Sequence, residues 1–191
     1  MSQVVRIPSG QPHVALPEIR RGPFNYLNVQ VLRELADLLG ELDAESDCRC
    51  VVLAAEGRAF SAGADFSGGG GEGTPRDPGP LYEQAMRLFR TANPVVAAVH
   101  GAAVGAGLGL ALAADFRVSC AQARFSANFN RLGFHPGFGL SATLPRLVGQ
   151  QQASLLFYTG RRIGGEEALR IGLVDMLVPA EDVRARALGL G

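Results

Sequence analysis

The chain has 191 residues, 47% hydrophobic and 19% charged, which suits one domain, or one domain and part of another, with a sizeable core. Eighteen basic groups balance 18 acidic ones, so no net field would hold nucleic acid or an anionic membrane surface. Every basic residue is arginine; without lysine there is no Schiff-base nucleophile, no anchor for pyridoxal phosphate and no G-x-x-x-x-G-K phosphate loop.

In chain order, residues 3–7 and 13–16 read as short strands separated by Pro8, Gly10 and Pro12. Asn28 is placed to cap a helix whose apolar positions Leu32, Leu35, Ala36, Leu39 and Leu42 keep three-four spacing. Residues 50–55 form a continuous apolar run, as in a strand buried on both faces. The Gly/Pro-rich stretch 68–80 cannot carry a packed core and is expected to be a mobile loop, and 81–90 return to helical spacing. A strand over 94–99, a small-residue helix over 105–114 and a strand over 116–120 follow. Residues 125–130 are expected to be extended. Helices are predicted over 139–148, 151–158 and 166–171, and a strand over 173–178. This alternation argues for one α/β domain over 1–191.

The uncharged run 91–114 has two overlapping G-x-x-x-G repeats. It also holds Asn93, Pro94 and His100 and few leucines, so a buried strand followed by a buried helix is the better account than a membrane span. Three cysteines (Cys48, Cys50, Cys120) are an odd number in a chain too long to need disulfide staples. With no secretion-type segment in the first residues, reduced thiols and a cytoplasmic location are expected. No His/Asp/Glu cluster has metal-ligand spacing.

Two segments share one physical form, a buried strand running into a Gly/Ala turn. They are Val51–Asp65, ending in Phe60-Ser-Ala-Gly-Ala-Asp, and Val95–Gly109, with the turn His100-Gly-Ala-Ala-Val-Gly-Ala-Gly. Small residues there permit either close approach of a ligand or close helix–strand packing. Two such turns can aim two free N–H groups at one oxygen anion. The 105–109 glycines lack the G-x-G-x-x-G spacing of a dinucleotide site.

Together with Ala114-Asp-Phe-Arg-Val118, Ala123-Arg-Phe125, Leu132-Gly-Phe-His-Pro-Gly137, Leu144-Pro-Arg-Leu-Val-Gly149, Tyr158-Thr-Gly-Arg-Arg-Ile163 and Gly172-Leu-Val-Asp175, these segments carry a resemblance. The sequence resembles the crotonase superfamily (enoyl-CoA hydratase/isomerase family) over about residues 18–180. The resemblance implies a spiral of ββα units that binds an acyl-CoA thioester, with coenzyme A as part of the substrate and no other cofactor. It implies a thioester enolate held by the backbone N–H groups of Ala64 and Ala106, and the adenine near the backbone of Ala62–Asp65. Arg58 is then a phosphate contact, and Arg58, Ala62, Gly63, Asp65, Phe66, Gly105, Gly109, Phe129 and Gly137 surround the substrate. A homo-oligomer (a trimer or a dimer of trimers) is also implied, with no nucleic-acid or membrane partner. The helical tail that family members usually carry would be short or missing.

The likeness departs where the chemistry is most demanding. The two carboxylates of the usual hydratase reaction fall on Gly109 and Phe129, and an Asp of some isomerases and a dehalogenase falls on Gly137. None of the three can titrate. His135 is a substitute acid/base candidate because imidazole moves protons at neutral pH. Tyr82, Glu83, Glu72 and Asp77 are candidates to reach in from beside the loop. Asn128 and Asn130 flank Phe129, and strand alternation would send them to the opposite face. Enoyl-CoA hydration or isomerisation is the leading expectation. Thioester hydrolysis and non-catalytic acyl-CoA binding are the alternatives.

Overall fold

The computed structural model describes residues 2–65 and 78–191. Strands β1 (Val4–Ile7) and β2 (Val14–Ile19) form an antiparallel pair with Val4 opposite Ile19. Helix α1 (Val29–Ala44) begins where expected: the Asn28 side chain accepts the Val31 N–H at 2.8 Å. Val31, Leu32, Leu35, Ala36, Leu39 and Leu42 form its buried stripe.

A repeating unit of two strands and a helix follows. Strands β3 (Cys50–Ala55) and β4 (Ala59–Ser61) lead to α2 (Gly79–Leu88). Strands β5 (Val95–Val99) and β6 (Ala102–Val104) lead to α3 (Ala106–Ala113). Strands β7 (Phe116–Ser119) and β8 (Arg124–Ser126) lead, through a 3₁₀ turn at Asn128–Leu132, to α4 (Leu140–Val148) and α5 (Gln150–Thr159). Strand β9 (Ile163–Gly164), α6 (Gly165–Arg170), β10 (Met176–Leu177), a 3₁₀ turn at Ala180–Asp182 and α7 (Val183–Leu188) complete the chain.

The first strand of each unit joins a six-stranded sheet of order β1-β2-β3-β5-β7-β10. The second joins a four-stranded sheet of order β4-β6-β8-β9. Strands β3 and β5 are buried at every residue and pair in parallel, with Val51 opposite Val95; a strand covered on both faces needs no polar alternation. This is the α/β spiral of ββα units that the sequence led us to expect. Every cysteine is free and buried, and burial pushes the Cys48 and Cys50 thiols up.

Two buried charges tie the periphery to the large sheet. Glu18 of β2 accepts from Arg20 at 2.6 Å and from Arg184 of α7. Arg117 of β7, 2% exposed, pairs with Asp175 at 2.9 Å and donates to the Ala114 and Asp115 carbonyls.

The structure corrects several sequence expectations. Strand β6 was not anticipated, being three small residues behind a glycine. The extended segment expected over 125–130 divides into β8 and the 3₁₀ turn, whose closing Gly133 donates back to the Asn130 carbonyl. Alternation therefore does not govern Asn128 and Asn130. The strand expected over 173–178 pairs only at Met176–Leu177, because Leu173 N–H returns to Ala168 and Asp175 N–H goes to Arg117. Of the expected loop 68–80, residues 68–77 lie outside the described residues, while Gly79 and Pro80 open α2. No helix among the described residues is long and apolar enough to cross a membrane.

Candidate active site

Strands β4 and β6 are parallel neighbours in the small sheet, so the turns that leave them emerge side by side. The contact between the turns is intimate. A Cβ on Gly63 would stand 3.0 Å from the Val104 carbonyl oxygen, and one on Gly107 would stand 2.2 Å from that of Ser61. Gly63 (φ 113°) and Gly105 (φ 54°, ψ −117°) hold backbone conformations that L side chains rarely adopt.

Most N–H groups of the two turns are spoken for. Ala62 donates to the Phe24 carbonyl at 2.9 Å, Gly63 to Ser61 Oγ at 3.3 Å and Asp65 to the Leu27 carbonyl at 2.8 Å. Gly105 donates to the Ser126 carbonyl at 2.9 Å. The Ala64 and Ala106 N–H groups have no hydrogen-bond partner among the described residues. For Ala106 the cause is its place as the first residue of α3, where no preceding turn supplies an acceptor. For Ala64 the cause is pairing geometry: its bridge to Leu27 uses the Gly63 carbonyl and the Asp65 N–H instead.

A loop over 21–27 fixes the first turn from outside. Asn25 is fully buried, donates to the Glu56 and Ala59 carbonyls at 2.6 and 2.8 Å, and accepts the Arg21 N–H at 2.9 Å. Arg21 in turn forms an ion pair with Asp65 and donates to the Tyr26 carbonyl at 2.7 Å. Asp65 is therefore engaged in holding the turn.

The region beyond α3 is apolar. A Cβ on Gly109 would stand 2.5 Å from Phe138 Cβ, and the buried Phe138 ring meets Phe89 edge-on at 6.4 Å. Phe129 is buried in the 3₁₀ turn. A Cβ on Gly137 would stand 2.0 Å from the Tyr82 hydroxyl, which reaches across from α2. Burial pushes the Tyr82 phenol up.

The remaining sequence candidates are placed as follows. Arg58 is exposed, and its N–H binds the Pro23 carbonyl. His100 Nε2 lies 3.0 Å from the Gly57 carbonyl, a structural bond. His135 is exposed in the 133–139 loop, two residues from Gly137. Glu83 and Asn130 are exposed, whereas the Asn128 Oδ1 lies 3.1 Å from where a Cβ on Gly105 would be. Phe66, Glu72 and Asp77 lie outside the described residues. Sequence reasoning missed Arg21, Asn25, Ser61 and Phe138. Only Ser61 carried a local signal, the hydroxyl two residues before Gly63 that marks an ST turn.

The family model for enoyl-CoA hydratase/isomerase matches residues 11–191. The chain belongs to the enoyl-CoA hydratase/isomerase family. It is 40% identical over 169 residues to a probable enoyl-CoA hydratase of Mycobacterium tuberculosis, covering 87% of this chain and 65% of that protein. It is 40% identical over 162 residues to the short-chain-enoyl-CoA hydratase of Clostridium acetobutylicum, covering 82% and 62%. The crystal structure of an enoyl-CoA hydratase from Bacillus anthracis superimposes with a TM-score of 0.90 at 33% identity, over 98% of this chain and 74% of that one. The chain thus spans just under two thirds of the length of these two curated relatives. The crotonase resemblance stated from the sequence is the correct family assignment.

Proposed function

We propose that the protein acts on acyl-CoA thioesters by enoyl-CoA hydratase or isomerase chemistry, holding the thioester enolate oxygen between the N–H groups of Ala64 and Ala106. The observation that carries this reading is the pair of adjacent turns in which the Ala64 N–H and the N–H groups that open α3, Ala106 first among them, have no partner among the described residues and so can face one oxygen. Adding water to an enoyl thioester, or removing a proton next to its carbonyl, places negative charge on the carbonyl oxygen. Preorganised amides stabilise that charge without reorganising, each lowering the barrier by about 3 kcal/mol. Backbone donors leave the side chain free, so alanine serves at both positions.

Coenzyme A is the handle of the substrate in this reading, and no separate cofactor is invoked. Its adenine is assigned to the Ala62–Asp65 backbone and a phosphate to the exposed Arg58. Phe129 and Phe138 supply a dry wall for the acyl group, which strengthens the amide–oxygen interaction. Self-association is supported by the exposed apolar residues Leu132, Phe134, Leu147, Leu155 and Tyr158 on the adjoining 3₁₀ turn, loop, α4 and α5. A second reading, acyl-CoA binding without turnover, is favoured by the inert Gly109 and Phe129.

Incubating the protein with saturated and unsaturated acyl-CoAs in heavy water, followed by mass spectrometry, separates these readings. Added water or α-deuterium supports enolate chemistry, loss of the acyl group as free acid supports hydrolysis, and binding without change supports the second reading. Ala106→Pro removes one donor at a helix position where proline is well tolerated. The folded variant is expected to lose on the order of 100-fold in turnover. Full activity in it would refute the assignment.

A further inference from the structure

With neither Gly109 nor Phe129 able to carry a proton, the site needs another group. The strongest candidate is a hydroxyl that crosses from a different element. Tyr82 Oη, Cζ and Cε1 stand 2.0, 2.3 and 2.8 Å from where a Cβ on Gly137 would be. The phenol therefore fills the space that a side chain at 137 would otherwise occupy. Gly137 adjoins Phe138, Phe138 lies on Gly109, and Gly109 is one helical turn beyond the Ala106 N–H, its own N–H bonded to the Gly105 carbonyl. Two side-chain contacts, Tyr82 on Gly137 and Phe138 on Gly109, joined by the chain between them, thus connect the hydroxyl to the turn of α3 that carries the proposed Ala106 donor.

We infer that Tyr82 is the acid that protonates the enolate carbon at this site. The inference rests on the enolate reading given under Proposed function. Three observations support it. The side chain is half-buried and its hydroxyl makes no hydrogen bond to a described residue, which leaves the O–H free to donate to a substrate. The phenol carries its proton at neutral pH, as any phenol does, and so is in the form an acid requires. The glycine at 137 is what leaves room for it, since a side chain there would have to displace the hydroxyl.

In hydration the step balances with water as the co-reactant. Water oxygen bonds to the β-carbon and the displaced π pair moves onto the thioester oxygen. The Tyr82 O–H bond then breaks, its proton passes to the α-carbon, and the enolate pair becomes the new C–H bond as the carbonyl re-forms. The proton shed by the added water restores the phenol. Nothing is oxidised or reduced.

The test is Tyr82→Phe, which keeps the ring and removes only the O–H, so it is expected to fold with an unchanged Tm. Crotonyl-CoA is supplied in heavy water, and formation of α-deuterated 3-hydroxyacyl-CoA is followed by mass spectrometry beside the Kd for crotonyl-CoA. The variant is expected to lose on the order of 100-fold or more in turnover, with Kd within threefold. Turnover equal to that of the parent protein overturns the assignment and leaves the enolate reading standing. Parallel loss of turnover and binding also overturns it, making Tyr82 a packing residue. A parent protein that binds crotonyl-CoA and never deuterates it removes the enolate reading, and this inference with it.

Discussion

Phe138 lies on Gly109 so closely that a Cβ on the glycine would stand 2.5 Å from the phenylalanine Cβ. The missing side chain at 109 is therefore a packing requirement. Placing a carboxylate there by Gly109→Glu is expected to create no hydratase centre. It would overpack the contact between α3 and the 133–139 loop and bury an unpaired acid, costing about 3 kcal/mol and lowering Tm by roughly 5–10 °C. Adding Phe138→Ala should return part of that loss, so the double variant falls by less than the sum of the single ones. Thermal melts of the four proteins check the cycle; strict additivity would mean that the two residues do not compete for space.

The Asn25 side chain makes three hydrogen bonds from a fully buried position at φ 51°. Asn25→Ala leaves the Glu56 and Ala59 carbonyls and the Arg21 N–H without their partner, and alanine is poorer than asparagine at positive φ. A loss of about 3 kcal/mol is expected in urea unfolding. Because the 21–27 loop positions Ala64, the Kd for acyl-CoA should rise as well. A change in stability with unaltered Kd would separate the loop from the site.

Arg117 and Asp175 join β7 to the turn before β10. The guanidinium is 2% exposed, and desolvation lowers its pKa even though Asp175 pulls the other way. Asp175→Ala strands that charge in the core, and a cost of about 3–5 kcal/mol is expected. Urea titration is the measurement. A cost under 1 kcal/mol would mean that the Ala114 and Asp115 carbonyls alone satisfy Arg117.

What the sequence made legible follows from the kind of signal each feature carries. The Asn28 cap, the leucine stripe of α1 and the apolar runs of β3 and β5 are local, and their placement matches the structure closely. The paired turns were legible because their pattern of small residues occurs twice. Contacts between distant segments were not legible. Nothing near Gly137 announces Tyr82, 55 positions earlier, and nothing near Gly109 announces Phe138. Asn25 was passed over because a buried asparagine owes its burial to partners at 56 and 59. Strand β6 and the 3₁₀ turn at 128–132 were missed because runs of three to five residues hold too little periodicity to be read.

Glu34 of α1 pins the N-terminal strand, accepting from Gln3 N at 2.7 Å, Val4 N at 3.1 Å, Ser2 Oγ at 2.9 Å and Gln30 Nε2 at 2.9 Å. Burial by itself would raise its carboxyl, but these hydrogen bonds outweigh burial and hold it below the ordinary 4.5. A carboxyl lowered by folding stabilises the fold fully above its unfolded-state pKa. That contribution is lost as the pH falls through the folded-state value. The stability gap between the parent protein and Glu34→Gln should therefore be constant near neutrality and close on acidification below about 4.5. Thermal melts of both proteins across that range are the check. A gap that widens in acid would show that Glu34 is held neutral in the fold, and the pinning of β1 would have to come from the protonated acid instead.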